Sequence, residues 1–327
     1  MIRYLIAGDP VAQIQPKYDT SIRIAAELLK RGHEVEYLDL ASTNPQQESA
    51  AYLSALPVSK ILMVDPLQSK NFITLSKPRK ARVEEFQVIL QRKDPPVDAL
   101  FVKYAKHFSK APERILQINN PVSAVKYNEH GLPMRYPQYS IPTVLAESIT
   151  ELQASVAKNP GESVLKPRGE CSGHGVVFVK RNEPLAVLEK YFNTWGSAYV
   201  QPYQKEIETL GDLRILVFNK KVLGSVMRVP AEGSRLANLH QGAEARFFQP
   251  TTVQLEATKF VAEDLNKKGL YFLGLDFIGD KISEVNITSP SALAQINEVT
   301  GHATEVMLVK EIENLRQDFA QKRAGII

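Results

Sequence analysis

Residues 273–290 read LGLDFIGDKISEVNITSP, and the fold of the C-terminal half can be argued outward from this stretch. Two apolar runs flank the glycine-aspartate pair at 279–280, which predicts two antiparallel strands joined by a short turn. Asp276, Glu284 and Asn286 interrupt these runs. Acids beside a turn are commonly solvated, but these lie within strands otherwise made of Leu, Phe, Ile and Val. Hard oxygen donors suit Mg²⁺ carrying substrate phosphates, so the three residues are predicted metal ligands, with Mn²⁺ as an alternative metal.

The apolar pattern also predicts the register of this hairpin. A connection centred on Asp280 pairs Ile278 with Ile282 and Asp276 with Glu284, and it collects the large apolar side chains on one buried face. A one-residue slip would move every side chain to the wrong face. Two carboxylates held across a ladder repel each other unless a cation lies between them. On this reasoning, Glu284→Gln leaves the metal-free fold as stable as before or more stable.

A glycine-rich segment lies earlier in the chain. Residues 164–178 read VLKPRGECSGHGVVF, in which an apolar strand leads to Lys166 and a loop with three glycines leads to a second strand. Glycines let backbone N–H groups approach phosphate oxygens, and a lysine adds positive charge. The segment indicates a phosphate-binding loop, although an ordinary hairpin loop has similar spacing. It is not a Walker loop, because no GK[ST] element opens a helix.

Composition excludes several classes of protein. The 327 residues are 44% hydrophobic and 23% charged, which suits a large core and excludes global disorder. A formal charge of +4 is too small for a dedicated nucleic-acid binder. The single cysteine, Cys171, excludes a disulfide within the chain and a Cys-rich zinc site. No apolar run reaches the roughly 20 residues that cross a bilayer, and Asp9 interrupts any signal-peptide core, which favours a cytoplasmic protein without a membrane partner.

Hydrophobic periodicity divides the chain into three units. Strand–helix alternation to about residue 118 predicts a parallel α/β layer, in which residues 66–82 are expected to form a long loop. An α+β unit follows over about 162–202, and a second one over 213–288 includes a helix at 252–267. A long helix over 301–322 ends the pattern. We place the domains at 1–122, 123–203 and 204–327.

Several motifs resemble the bacterial glutathione synthetases of the ATP-grasp superfamily. They are Arg92-Lys-Asp-Pro-Pro96, the loop after Lys166, Gly269–Asp276 and Ser283–Pro290. The first and last are specific to that family, whereas the loop is shared among ATP-grasp enzymes, and the similarity spans nearly the whole chain. The resemblance implies an N-terminal parallel α/β substrate domain, a small central lid and a C-terminal α+β catalytic domain. It implies ligation of γ-glutamylcysteine to glycine through an acyl phosphate, with ATP and Mg²⁺, in a homo-oligomer.

The resemblance assigns roles residue by residue. The predicted ATP contacts are Lys166, Gly169, Ser172, Gly173, Gly175, Gln201, Tyr203, Gln204 and Asp212. Arg214 and Arg228 are expected near the transferred phosphoryl group and the substrate carboxylate. Arg235 is expected in a mobile loop. Three residues are expected to contact the substrate: Arg228, Ser289 and Asn286, which is also a predicted metal ligand.

Two segments depart from the family pattern. The family usually has Asn-Glu-Lys where this chain has Asn128-Glu-His130, so an expected ATP-binding lysine is missing. Lys126 lies four residues upstream on an expected helix and is predicted to replace it. The second departure is residues 234–243, SRLANLHQGA, with one glycine where the family has a pair. Residues 230–246 are the predicted cover that shields an acyl phosphate from water.

Two other functions stay open at this point. An ATP-grasp ligase that joins a different carboxylate to a different amine is consistent with both departures. A nucleotide- or RNA-binding module would use the basic segment that contains Lys70, Lys77, Arg79, Lys80 and Arg82. That module would bind RNA in a salt-dependent way and would not need the three predicted metal ligands.

Overall fold

The computed structural model describes residues 1–41, 56–170, 173–235, 237 and 242–323. The first unit contains β1 (Arg3–Gly8), α1 (Thr20–Lys30), β2 (Glu34–Asp39), β3 (Leu56–Val64), β4 (Ile73–Leu75), β5 (Arg79–Ala81), β6 (Val88–Arg92), α2 (Ala99–Phe108), β7 (Leu116–Ile118) and α3 (Pro121–Lys126). The sheet order is β4-β3-β2-β1-β6-β7, with β5 on β3. Strands β1, β2, β6 and β7 pair in parallel, which confirms the predicted layer.

The expectation of a long loop over residues 66–82 is wrong. Strands β4 and β5 lie in this segment, and both pair with β3 in antiparallel fashion. Each has only three residues, too few to show a period in the sequence. Arg79 of β5 also forms ion pairs with Glu36 and Glu85, so part of the basic segment is neutralised within the domain. This pairing weakens the RNA-binding alternative.

The second unit is an antiparallel sheet with two helices. Its elements are β8 (Val144–Ala146), α4 (Ile149–Lys158), β9 (Ser163–Lys166), β10 (Val177–Val179), α5 (Leu185–Trp195) and β11 (Ala198–Pro202). The order is β10-β9-β11-β8. Helix α4 begins after Ser148, whose side chain accepts a hydrogen bond from the backbone N–H of Glu151. The predicted α+β unit over about 162–202 covers the last four elements, whereas β8 and α4 lie before it and were missed.

The third unit is a five-stranded antiparallel sheet. Its elements are α6 (Glu206–Thr209), β12 (Asp212–Phe218), β13 (Lys221–Val229), β14 (Glu244–Arg246), α7 (Thr252–Asn266), β15 (Phe272–Ile278), β16 (Lys281–Asn286), α8 (Leu293–Thr300) and α9 (Thr304–Arg323). The order is β14-β13-β12-β15-β16. The predicted final helix is α9, and α8 was missed. Gly301 ends α8 in the left-handed conformation, with φ of 72°.

The predicted carboxylate pairing is confirmed, but the predicted turn is wrong. Asp276 lies opposite Glu284, and Leu275, Phe277 and Val285 share one buried cluster. Ile278 pairs with Lys281 and not with Ile282, because the turn has two residues. A β-bulge between Asp276 and Phe277 then restores the predicted pairing of Asp276 with Glu284. The bulge absorbs the extra residue that a longer turn was expected to hold.

The first and third units are joined by a shared core. Ile24 of α1, Phe218 of β12 and Ile312 of α9 belong to the same buried apolar cluster. Asn119, which is 3% exposed, donates to the backbone carbonyls of Phe272 and Ile287 and accepts from the backbone N–H of Phe272. These buried bonds hold the two sheets in a fixed relation, which positions the cavity between them. No helix in the described ranges has the length and apolar character of a membrane span.

Candidate active site

A cavity of about 580 Å³ lies where the three units meet. Its walls include Asp19 and Arg92 from the first unit, Lys166 from the second and Glu284 from the third. The predicted site residues that line it are Lys166, Gly173, Gln201, Tyr203, Gln204, Asp212, Arg214, Arg228, Arg235, Asp276, Glu284, Asn286 and Ser289. The structure therefore collects in one place most of the residues that the sequence singled out.

Asp276 is held by two arginines from its own sheet. Arg214 lies opposite it on β12 and donates through Nε to Oδ1 at 2.7 Å and through Nη2 to Oδ2 at 2.6 Å. Nη2 of Arg228 lies 2.9 Å from the same Oδ2. Burial alone would raise the pKa of the Asp276 carboxyl, but the two guanidinium groups outweigh burial and hold the pKa below its ordinary value. Asp276 is therefore a buried, ionised carboxylate.

Asp212, the first residue of β12, also belongs to this network. Its Oδ2 accepts a hydrogen bond from Nη2 of Arg228 at 2.7 Å. Burial, supported by the nearby charge of Asp276, raises the pKa of Asp212 to about 6 although Arg228 opposes the change. Within the described part of the chain, its Oδ1 is buried without a hydrogen-bond partner. An acceptor left in this way at a cavity wall suits a ligand hydroxyl group, such as one of the nucleotide that Asp212 is predicted to contact.

Glu284 meets a different set of nitrogen groups. Nε2 of His130 lies 3.5 Å from its Oε2. Nζ of Lys166, half-buried at the end of β9, donates to the carbonyl oxygen of Ser283 at 3.2 Å. Burial by itself raises the pKa of the Glu284 carboxyl, but His130 and Lys166 outweigh it and lower the pKa. This carboxylate is ionised as well.

The residues at the hairpin fit a divalent cation. Asn286 uses its side-chain nitrogen to donate to the carbonyl oxygen of Gly274 and to Oδ2 of Asp276, both at 3.2 Å, and does not use its oxygen in these bonds. Across the described ranges, no cluster of three or more His, Cys, Asp or Glu side chains could hold a metal unaided. Two ionised carboxylates and one amide suit a cation whose remaining ligands are phosphate oxygens and water.

Arg235 has different partners from the two other arginines of the predicted set. Its guanidinium carbon lies 4.2 Å from the ring centre of Phe178 and 4.1 Å from that of Tyr203. Its Nη2 forms an ion pair with Glu162 of the second unit. Of the predicted cover, residues 236 and 238–241 lie outside the described residues, and Glu244–Arg246 is the edge strand β14.

The predicted role of Lys126 rests on a helix that ends too early. Helix α3 stops at Lys126, so His130 lies beyond it and the two side chains do not share a helical face. Lys126 is exposed, and its Nζ lies over the ring of the adjacent Tyr127, 5.6 Å from the ring centre. It is not among the residues that line the cavity. In the described conformation, His130 itself lies at the position that Lys126 was expected to reach.

The glycine loop is only partly described. Gly169, Gly173 and Gly175 have φ values of 87°, 77° and 70°, which L side chains rarely adopt. Gly173 lines the cavity, whereas Gly169 and Gly175 do not. Ser172 and Cys171, which the sequence analysis also singled out, lie outside the described residues.

Sequence reasoning missed two buried charged residues. Arg92 ends β6, lines the cavity and donates through Nε to Oγ of Ser21, while its Nη1 has no partner among the described residues. Glu129 accepts hydrogen bonds from the backbone N–H groups of Ile287 and Thr288, just beyond β16. A basic residue at the carboxyl end of a buried parallel strand was the available signal for Arg92. Glu129 follows an irregular segment and gave no comparable signal.

Comparisons with known proteins agree with this geometry. The family model for the prokaryotic glutathione synthetase ATP-grasp domain matches residues 130–301, and the model for the N-terminal domain of the same family matches residues 2–124. Glutathione synthetase of Parasynechococcus marenigrum (strain WH8102) is 30% identical over 320 residues, covering 96% of this chain and 99% of that protein. The Buchnera aphidicola subsp. Schizaphis graminum enzyme is 29% identical over 315 residues, covering 94% and 96%.

Solved structures confirm the predicted ATP-grasp fold. D-cycloserine synthetase DcsG superposes with a TM-score of 0.64 at 12% identity, covering 95% of this chain and 99% of that one. D-alanine–D-alanine ligase from Bacillus anthracis, solved with ATP, gives 0.59 at 14% identity, covering 97% and 99%. With the family matches, these findings show an enzyme that uses ATP and a divalent metal to ligate small molecules. The chain belongs to the prokaryotic glutathione synthetase family.

Proposed function

We propose that this chain joins the carboxylate of γ-glutamylcysteine to the amine of glycine through an acyl phosphate, with release of ADP and phosphate. One observation carries the proposal: a single cavity contains the carboxylate hairpin, the lysine and glycine loop, and the buried Arg92. The first two suit nucleotide and metal, and the third suits a peptide-like substrate. Family membership supports the choice of substrates.

The nucleotide end of the cavity contains Lys166, Arg214 and Arg228 beside the carboxylates. Lys166 would offset phosphate charge, and Asp212 would accept from the ribose. Asp276, Glu284 and Asn286 would hold the metal, which we propose is Mg²⁺, with Mn²⁺ as a substitute, and which when bound neutralises phosphate charge. The substrate carboxylate attacks the terminal phosphorus in line, and the bond to the ADP oxygen breaks.

The arginines then stabilise the charge that develops. Arg214 and Arg228 are preorganised by Asp276, and both line the cavity. Fixed guanidinium groups of this kind would stabilise the oxygens of the phosphoryl group and, when the amine attacks the acyl phosphate, the tetrahedral oxyanion. Phosphate then leaves and the amide bond remains. Arg235, which is held against the second unit, would act only after leaving its contacts with Phe178 and Tyr203.

The other end of the cavity suits a peptide-like substrate. Arg92 is 6% exposed, and its Nη1 has no hydrogen-bond partner in the described ranges; such a guanidinium group favours a carboxylate partner. Oγ of Ser289 lies 3.4 Å from the carbonyl oxygen of Arg92, so the segment after β16 adjoins this end. We propose Ser289 and Asn286 as substrate contacts on this basis.

The remaining parts of the proposal follow from the family. We propose a homo-oligomer in the cytoplasm and domains at 1–122, 123–203 and 204–327. The domain division is supported by the sheets, because β7 ends at Ile118, β8 begins at Val144 and β12 begins at Asp212.

A coupled assay tests the proposal directly. The purified chain with ATP, Mg²⁺, γ-glutamylcysteine and glycine should release ADP and phosphate and form glutathione in equal amounts. A reaction without glycine is the control. No turnover above that control would contradict the proposal, and turnover restored by a different amine would favour the alternative ligase.

A further inference from the structure

His130 joins two parts of the site that come from different units. Its Nδ1 lies 2.8 Å from the carbonyl oxygen of Pro167, the residue after Lys166, and its Nε2 lies 3.5 Å from Oε2 of Glu284. The ring is 4% exposed. Because a carbonyl oxygen can only accept, Nδ1 is the donor to Pro167, and Nε2 is the nitrogen that faces the carboxylate of Glu284.

The turn that carries His130 is bonded on several sides. Oδ1 of Asn128 accepts from the backbone N–H of His130 at 3.1 Å. The next residue has no side chain, and a Cβ atom at Gly131 would lie 2.6 Å from Oη of Tyr199. Tyr199 pairs with Lys166 across β11 and β9, and its ring meets the His130 ring edge-on. Glu129 ties the same turn to the end of β16. The imidazole is therefore fixed in position.

We infer that His130 is a positioning residue, which holds the start of the phosphate loop at a set distance from Glu284. The inference rests on the proposed use of ATP at this cavity. A planar ring with nitrogens on two sides contacts the loop and the carboxylate together. The lysine usual in the family is a flexible point charge and offers no such rigid spacing. His130 would thus act through Pro167 and Glu284 and not by binding a phosphate as a cation.

The chain contains a reporter for the placement of this loop. Trp195 is the only tryptophan. A Cβ atom at Gly175 would lie 2.6 Å from its ring and 2.9 Å from Cγ of Pro167, so Trp195 and both ends of the loop are in close contact. The His174 ring also packs edge-on against Trp195. Tryptophan emission therefore reports the loop in the ligand-free protein, independently of turnover.

Two substitutions separate the two contacts. His130→Asn keeps a nitrogen near the position of Nδ1 and loses the group that faces Glu284, whereas His130→Gln keeps a nitrogen near Nε2 and loses the bond to Pro167. We expect His130→Gln to shift Trp195 emission and raise acrylamide quenching without ligand, and to raise KM for ATP about tenfold, the size expected for one buried hydrogen bond. Its kcat should change by less than about threefold. His130→Asn should leave the emission close to that of the wild type.

The control is His107→Gln, which alters a buried histidine on α2 that does not line the cavity. It should lower thermal stability without changing Trp195 emission or KM. Equal emission and equal KM for His130→Gln and His130→Asn would overturn the inference, and so would changes that simply follow melting temperature. ATP binding measured by calorimetry keeps this test separate from the substrates, since failure to form glutathione with an intact emission difference would contradict only the proposed function.

Discussion

The two carboxylates of the β15–β16 hairpin lie opposite each other, but they are neutralised in different ways. Asp276 is paired with Arg214 and Arg228, which lie on strands of its own sheet. Glu284 faces His130 and Lys166, which come from other parts of the chain. Guanidinium groups stay charged at any physiological pH and are held here by the ladder itself. Asp276 therefore helps to hold the sheet together, whereas Glu284 is a contact between the sheet and the phosphate loop.

The largest effect on stability is expected at Asp276. Asp276→Asn leaves two buried arginines without their shared carboxylate, which typically costs about 3–5 kcal/mol of unfolding free energy. Urea denaturation without nucleotide measures this loss. Asp280→Asn, in the exposed turn of the same hairpin, is the control and should cost about 1 kcal/mol or less. Equal stability of the two variants would show that the arginine pairs do not hold the sheet.

A smaller loss, of about 1 kcal/mol, is expected for Glu284→Gln, together with loss of metal-dependent turnover. The strand register alone predicts that Glu284→Gln is as stable as the wild type or more stable, because it takes into account only the repulsion between the two carboxylates. The structure adds His130 and Lys166, which lower the pKa of Glu284 from its ordinary 4.5, so the folded state favours the ionised form. A more stable Glu284→Gln variant would restore the prediction from register.

The wild type and the Glu284→Gln variant also provide a test of pH dependence. The pKa of Glu284 is lower in the folded chain than in the unfolded one, so its contribution to stability is complete above about pH 4.5 and is lost as pH falls below that value. The difference in unfolding free energy between the wild type and Glu284→Gln should therefore narrow from about pH 5 to about pH 3. A difference that widened on acidification would contradict the direction of the pKa change.

Lys166 is expected to affect ligand binding more than stability. Among the described residues it donates one hydrogen bond, to the carbonyl oxygen of Ser283, so Lys166→Met should cost about 1 kcal/mol or less without nucleotide. ATP affinity, measured by calorimetry, should fall about tenfold or more because a charge near the phosphates is lost. Lys180→Met, at an exposed position just after β10, is the matched control. Unchanged ATP affinity would remove the loop's proposed role.

The smallest effect is expected at Lys126. Its exposed position over Tyr127 predicts a KM for ATP within about twofold of the wild type for Lys126→Ala. The helical spacing in the sequence predicts a clear rise instead. A tenfold rise would mean that Lys126 reaches the nucleotide in a different conformation of this segment.

Local patterns predicted most of the elements that are long or regular, although helices α4 and α8 were missed. The alternation of apolar residues in β15 and β16 predicted the pairing of Asp276 with Glu284, and the C-terminal sheet and its helix α7 were found in the same way. Strands β4, β5 and β8 have three residues each and were missed. Such short strands depend on hydrogen bonds to β3 and β11, which lie elsewhere in the sequence.

The residues of the candidate site show the same difference between local patterns and contacts with distant parts of the chain. Alternation and glycine content are local properties, so the sequence alone was enough to place Asp276, Glu284 and Lys166 at a strand face or a strand end. It could not assign their partners. Arg214 is 62 residues from Asp276 and meets it through strand pairing, whereas His130, which bonds to a carbonyl 37 residues away, meets Glu284 through packing between units. The end of α3 at Lys126 was settled in the same way, because a short helix stops where tertiary contacts no longer favour it.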